Sequence, residues 1–131
     1  MTAEENVAVM ERAYGAFNTG DMDTLTEVFD EGLAWHLPGR SSMAEDYQGR
    51  DATLAYFGQL AEKTGGTFRA ELQHLAGDGD GRVIAIHHNS GERDGKHLDV
   101  ECCIVFELKD GRVIDGREHF GDLYAWDEFW S

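Results

Sequence analysis

The sequence predicts one α+β domain in which helices come first and a curved, mostly antiparallel sheet follows. Apolar residues recur at helical spacing before position 66, whereas residues from Phe68 onward alternate with a period of two. Short turns rich in Asp and Gly separate the segments of the second half, which is typical of hairpins. The length of 131 residues is that of a single domain, here 1–131.

The first segment predicts a helix, because its apolar residues are spaced by three and four: Val7, Met10, Tyr14 and Phe17. The sequence Asn18-Thr19-Gly20 predicts its end. A short second helix is expected next, with Asp21 or Asp23 as its cap, and Gly32 is expected to end it.

A short strand is predicted over 33–37, closed by Pro38-Gly39. The polar residues 39–50 predict a loop that is either a lid, with Met43 and Tyr47 against a ligand, or an ordinary surface connection. A third helix is expected to begin at the cap Asp51 and to end at Gly65-Gly66.

The second half predicts four antiparallel strands at 68–73, 83–88, 98–108 and 113–120, and residues 122–130 predict a short terminal helix or closing segment. A curved sheet with the N-terminal helices on its concave face makes a cone, which is a natural place for a small-molecule pocket.

The charge of the chain excludes two classes of partner. With 26 Asp and Glu against 11 Lys and Arg, the net charge is −15, so neither nucleic acid nor an anionic membrane is an expected partner. The adjacent Cys102 and Cys103 favour reduced thiols, and the N-terminus lacks the pattern of a signal peptide, so a cytoplasmic protein is expected. No phosphate-binding glycine loop or metal-binding histidine motif occurs, so we expect no cofactor and no metal.

Five short segments, in order, resemble the SnoaL-like branch of the NTF2-like, or ketosteroid-isomerase-like, superfamily: AFNTGD (16–21), WHLPG (35–39), YQGR (47–50), DGRV (110–113) and DLYAWDEFW (122–130). The resemblance implies a cone-shaped α+β barrel, usually a homodimer through the outer face of the sheet. It does not imply one function, because this fold hosts isomerases, cyclases, epoxide hydrolases and proteins with no known activity.

The residues that ketosteroid isomerases require do not match well. Their carboxylate base precedes the proline of the first strand, where this chain has Leu37, and their oxyanion-hole acid corresponds to Cys102, a feeble donor. Tyr14 lies one residue away from their tyrosine. Steroid isomerisation by that mechanism is therefore not expected. In SnoaL-type cyclases an aspartate near the end of the last strand is the acid/base, and Asp122 is its nearest match.

Strand alternation predicts which side chains face the cone. If Cys102 faces inward, we expect Glu118 on the last strand and His88 at the end of the 83–88 strand to do so as well. These two residues and Asp122 are the catalytic candidates, since a carboxylate in an apolar pocket has a raised pKa. The alternative is that both carboxylates lie at a solvated mouth of the barrel or pair with arginines.

The candidate substrate-binding residues are mainly aromatic and predict a small hydrophobic ligand: Tyr14, Phe17, Trp35, Leu37, Tyr56, Phe57, Cys102 and Phe120. The leading hypothesis is a cofactor-free isomerase, cyclase or hydratase in which Asp122 or Glu118 moves a proton and His88 binds the developing oxyanion. The alternatives are a non-catalytic protein that binds a hydrophobic ligand and a dimeric interaction module without a working pocket.

Overall fold

The computed structural model describes residues 1–131 as four helices and one six-stranded sheet. The helices are α1 (Ala3–Thr19), α2 (Met22–Val28), α3 (Arg50–Lys63) and α4 (Leu123–Trp130). The strands are β1 (Phe29–Leu37), β2 (Glu45–Gln48), β3 (Arg69–Gly77), β4 (Arg82–Arg93), β5 (Lys96–Lys109) and β6 (Arg112–Phe120). The predicted α+β class is confirmed.

The sheet is mixed, and its strand order is β2-β1-β6-β5-β4-β3. Strands β3 to β6 form the predicted antiparallel meander, whereas β1 pairs in parallel with β6. Helix α1 packs on β3 and β4, and α3 packs on β1 and β2. The sheet does not close on itself, so the helices complete an open cone.

Both ends of α1 are capped, and its C-terminal end lies where the sequence predicts it. Thr2 and Glu5 form a reciprocal capping box at its start, and Gly20 ends it in the left-handed conformation with φ of 73°. The predicted end of α2 at Gly32 is wrong, because β1 already begins at Phe29. The guanidinium groups of Arg50 and Arg112 donate to carbonyl oxygens at this junction and stabilise the early change from helix to strand.

The prediction of a continuous loop over 39–50 is also wrong, since residues 45–48 form β2 and pair with β1. Helix α3 begins at Arg50 with Gly49 as its N-cap, rather than after a cap at Asp51. Gly49 has φ of 93°, a left-handed conformation that only glycine adopts readily, so this residue permits the sharp exit from β2.

The core is one cluster of 28 buried apolar residues between the helices and the concave face of the sheet. The predicted terminal helix is confirmed as α4, and it seals one end of the core. Its Trp126 is fully buried and stacks on Phe120, with 4.3 Å between ring centroids. None of the four helices has the length and apolar character that a membrane crossing requires.

Candidate functional site

An apolar cavity lies in the cone, between the concave face of the sheet and the helices. The volume of this cavity is about 50 Å³. Of its 17 lining residues, 14 are hydrophobic, and the other three are His87, Asn89 and Glu118. No lysine or arginine lines it. The cavity therefore suits a small uncharged molecule that presents few polar atoms.

Five of the predicted substrate-binding residues line this cavity: Tyr14, Phe17, Trp35, Tyr56 and Phe57. The ring of Phe57 packs edge-to-face on both Phe17 and Trp35, with centroid distances of 5.3 and 5.1 Å. These contacts hold the aromatic wall in one arrangement.

The other three predicted binding residues lie outside the cavity. Leu37 and Phe120 line a separate surface groove, which Glu118 also borders. Cys102 is fully buried, and its Sγ lies 3.8 Å from Glu118 Oε1. Burial raises the pKa of this thiol, so Cys102 stays protonated beside the carboxyl group.

Glu118 is brought to the cavity by β6 and is only 6% exposed. Its Oε2 accepts two hydrogen bonds, one from Trp35 Nε1 and one from the hydroxyl of Tyr56, both of 2.9 Å. The ring of Tyr56 in turn stacks on Tyr47, with 4.9 Å between centroids. One carboxyl oxygen is thus fixed by two donors, while Oε1 has only the weak thiol donor nearby.

The environment of Glu118 sets its protonation near neutrality. Burial raises its pKa to about 7, because the charged form loses its hydration, although the hydrogen bonds from Trp35, Tyr56 and Cys102 favour the carboxylate and oppose this effect. Both protonation states are therefore populated at neutral pH. A group of this kind is suited to take a proton in one step and to return it in the next.

A second buried polar group consists of three side chains in a hydrogen-bonded row. The hydroxyl of Tyr14 lies 2.6 Å from His87 Nδ1, and His87 Nε2 lies 3.0 Å from Asn89 Oδ1. Burial lowers the pKa of His87 to about 4, so its ring is neutral at physiological pH. The sequence prediction missed both His87 and Asn89.

The predicted inward direction of His88 is wrong. His88 points from the convex face, where its Nε2 lies 2.8 Å from Asp99 Oδ1, and its neighbour His87 takes the inward place. Ile84 and Ile86 also lie on the outer face, because the buried residues of β4 have odd numbers. Adjacent residues of a strand face opposite sides, so the error of one position reversed the whole strand.

Asp122 is not brought to the cavity. It is exposed and is the N-cap of α4, where its Oδ1 accepts a 3.0 Å hydrogen bond from the backbone N–H of Ala125. The structure thus separates the two predicted carboxylates: Glu118 lines the apolar cavity, and Asp122 supports the start of a helix at the surface.

Comparison with known proteins places these features in a family. The model of the SnoaL-like domain matches residues 10–116. The solved structure of Bal32a, from a soil-derived mobile gene cassette, is 63% identical, with a TM-score of 0.97 over 98% of each chain. An uncharacterized protein of Mycobacterium tuberculosis is 30% identical over the full length of both chains.

An LEH-like epoxide hydrolase of M. tuberculosis is 20% identical and has a TM-score of 0.78, over 98% of this chain and 90% of that one. At this identity the likeness shows a common fold alone. The predicted family and the cone-shaped fold are confirmed by the whole set of matches. The chain belongs to the SnoaL-like family.

Proposed function

We propose that the protein is an enzyme that transfers a proton on a small, uncharged, hydrophobic substrate without a cofactor, with Glu118 as its general acid or base. The observation that carries this proposal is the buried Glu118 carboxyl in the wall of an apolar cavity, with a pKa of about 7. The absence of lysine and arginine from that wall supports an uncharged substrate.

The hydrogen bonds of Glu118 support a reversible transfer. Trp35 and Tyr56 both donate to Oε2, so the group stays in place whether or not Oε1 carries a proton. As a carboxylate, Oε1 takes a proton from a carbon acid or from water. As a carboxylic acid, it delivers the proton to another atom of the same substrate. Isomerisation, aldol-type cyclisation and hydration all need this pair of steps.

Glu118→Gln is expected to lower kcat at least about 100-fold, because glutamine keeps the shape but cannot exchange a proton. The measurement uses small β,γ-unsaturated ketones and epoxides as probes, with the products followed by NMR. Asp122→Asn is the matched control, since asparagine also caps a helix and the change removes a carboxylate outside the cavity.

Equal activity of Glu118→Gln and the wild type would contradict the proposal, and so would an equal loss in Asp122→Asn. Binding of the probes without any turnover by the wild type would favour the alternative, a protein that binds a hydrophobic ligand without reaction. The apolar lining of the cavity supports that second function equally well.

We also propose a homodimer through the outer face of the sheet, in the cytoplasm, where the free thiols Cys102 and Cys103 stay reduced. Apolar side chains stand side by side on that face, because Ile84 pairs with Val105, and Ile86 pairs with Cys103. Ile84 is 37% exposed in the single chain, which is unusual for a strand isoleucine with such neighbours.

Ile84→Asp is expected to halve the mass of the particle in solution, since it places a charge from each copy in the contact. Light scattering after size-exclusion chromatography measures this. Met22→Asp is the control, because Met22 is an exposed apolar residue on α2, away from the sheet face. A wild-type monomer, or a dimer that Ile84→Asp leaves intact, would contradict the proposed contact.

A further inference from the structure

One buried polar atom in the cavity wall has no partner. Asn89 is 1% exposed and lines the cavity, and its Nδ2 makes no hydrogen bond within the protein. A buried donor without an acceptor destabilises the folded protein, because it has lost its hydrogen bonds to water. Such a group in the wall of an otherwise apolar cavity is free to bind an acceptor on a ligand.

The hydrogen bonds behind Asn89 fix which end of its amide faces the cavity. Asn89 Oδ1 can only accept, so His87 Nε2 must carry a proton and donate to it. The neutral His87 ring then has an unprotonated Nδ1, which accepts the hydroxyl proton of Tyr14. Tyr14 therefore donates its hydroxyl proton to His87. Among the three side chains, the donor that has no acceptor is Asn89 Nδ2.

The row also strengthens that donor. Each of its two hydrogen bonds polarises the next group in the same direction, from Tyr14 through His87 to the Asn89 amide, in surroundings of low dielectric constant. Because His87 stays neutral, the row contributes no net positive charge to the cavity. It thus favours an uncharged oxygen over a carboxylate or a phosphate.

We infer that Asn89 binds the carbonyl oxygen of a small neutral ketone through Nδ2, with Tyr14 and His87 as positioning residues that aim its amide. This inference rests on the proposed function for the reaction itself, and names the group that the substrate must carry. When Glu118 takes the α-proton, the C–H electron pair forms a C=C bond and the C=O π pair moves to oxygen. Asn89 stabilises that enolate oxygen, and Glu118 returns the proton to carbon.

The first experiment uses butan-2-one and 2-methylbut-1-ene, which differ only by oxygen in place of a CH2 group. In ¹H–¹⁵N spectra of the wild type, butan-2-one is expected to shift the side-chain amide signals of Asn89, and the alkene is expected to leave them nearly unmoved. Asn18 is the internal control, because both of its side-chain polar atoms already bind the backbone of Ala70.

The second experiment compares association constants. Asn89→Leu is expected to lower the ratio of ketone to alkene binding about fivefold, the usual worth of one hydrogen bond. Glu118→Gln is expected to keep that ratio, so that loss of turnover and loss of ketone recognition are separable. Tyr14→Phe is expected to mix the two tautomers of His87, seen in its ¹⁵N shifts, and to lower the ratio in part.

Three results would overturn the inference. The first is an equal response of the Asn89 amide to both probes, or no binding of butan-2-one at all. The second is an unchanged ratio in a folded Asn89→Leu protein. The third is a proton on His87 Nδ1 in the wild type, since Tyr14 would then be the free donor. The wild-type spectra need no variant, so they decide the question even if Asn89→Leu does not fold.

Discussion

Gly116→Val is expected to lower the free energy of unfolding by more than about 3 kcal/mol, at the upper end of the cost of overpacking a core. Gly116 lies on β6 directly opposite Trp35 of β1, and the indole lies across the glycine. A Cβ at this position would be 2.4 Å from Trp35 Cζ3 and 2.5 Å from Cε3. Trp35 is buried and its indole is held by the hydrogen bond to Glu118, so the sheet or the ring must shift.

The displaced indole would also lose its hydrogen bond to Glu118 Oε2, so we expect the site to be damaged in any protein that still folds. Urea denaturation measures the stability. Gly58→Ala is the control, because this exposed glycine of α3 has no atom within 4 Å of an added Cβ, and alanine there should add about 0.5–1 kcal/mol. A Gly116→Val protein as stable as the wild type would contradict the packing described for Trp35.

Glu118→Gln is expected to change how stability depends on pH. The pKa of Glu118 is raised from 4.5 to about 7 in the folded protein, so the folded state holds a proton that the unfolded chain has already released. The free energy of unfolding of the wild type therefore falls as pH rises from 4.5 to about 7, by about 3 kcal/mol from this group. Glutamine does not titrate, so the Glu118→Gln protein lacks this fall in the free energy of unfolding.

His87 acts in the opposite direction over nearly the same range. Its pKa is lowered from 6.5 to about 4, so its contribution to stability is present above pH 6.5 and is lost as pH falls to about 4. In the wild type the two effects oppose each other, so the free energy of unfolding changes little with pH over this range. In Glu118→Gln the effect of His87 is left alone, so stability should rise clearly from pH 4.5 to 6.5.

Urea denaturation at pH 5, 6.5 and 8 measures this difference. Relative to the wild type, Glu118→Gln should gain about 2.5 kcal/mol more at pH 8 than at pH 5. Asp122→Asn serves again as the control, because it removes a carboxylate that lies outside the cavity. Parallel curves for the wild type and Glu118→Gln would show that the carboxyl group is not buried as described.

The sequence predicted most of the fold, because periodicity and turn residues are local properties. It was less informative about β4, because over residues 83–88 the set with the more apolar residues, Ile84 and Ile86, is the one that faces outward, and each set includes a histidine. The correct face follows from the turn Asp94-Gly95. A two-residue turn pairs Arg93 with Lys96, and counting back from there sets His87 opposite Cys102, on the same face.

Other parts of the site could not be predicted from local pattern at all. Nothing in the sequence pairs Trp35 and Tyr56 with Glu118, since these partners are 83 and 62 residues away from it. Asn89 could be assigned to the cavity wall only once the inward direction of His87, on the same face of β4, was known. Alternation assigned Glu118 to the inner face, but only the surrounding core shows that water is excluded from it.

The parallel pairing of β1 with β6 has a consequence for the order in which the chain folds. Partners such as Trp35 and Gly116 are far apart in sequence, so the loop between them is costly to close, and contacts of this kind slow folding. During synthesis, residues 1–111 must leave the ribosome before residues 112–120 can insert beside 29–37. We therefore expect β1 to dock on a meander that has already formed. The Glu118 carboxyl would then lose its hydration only at this late step of folding.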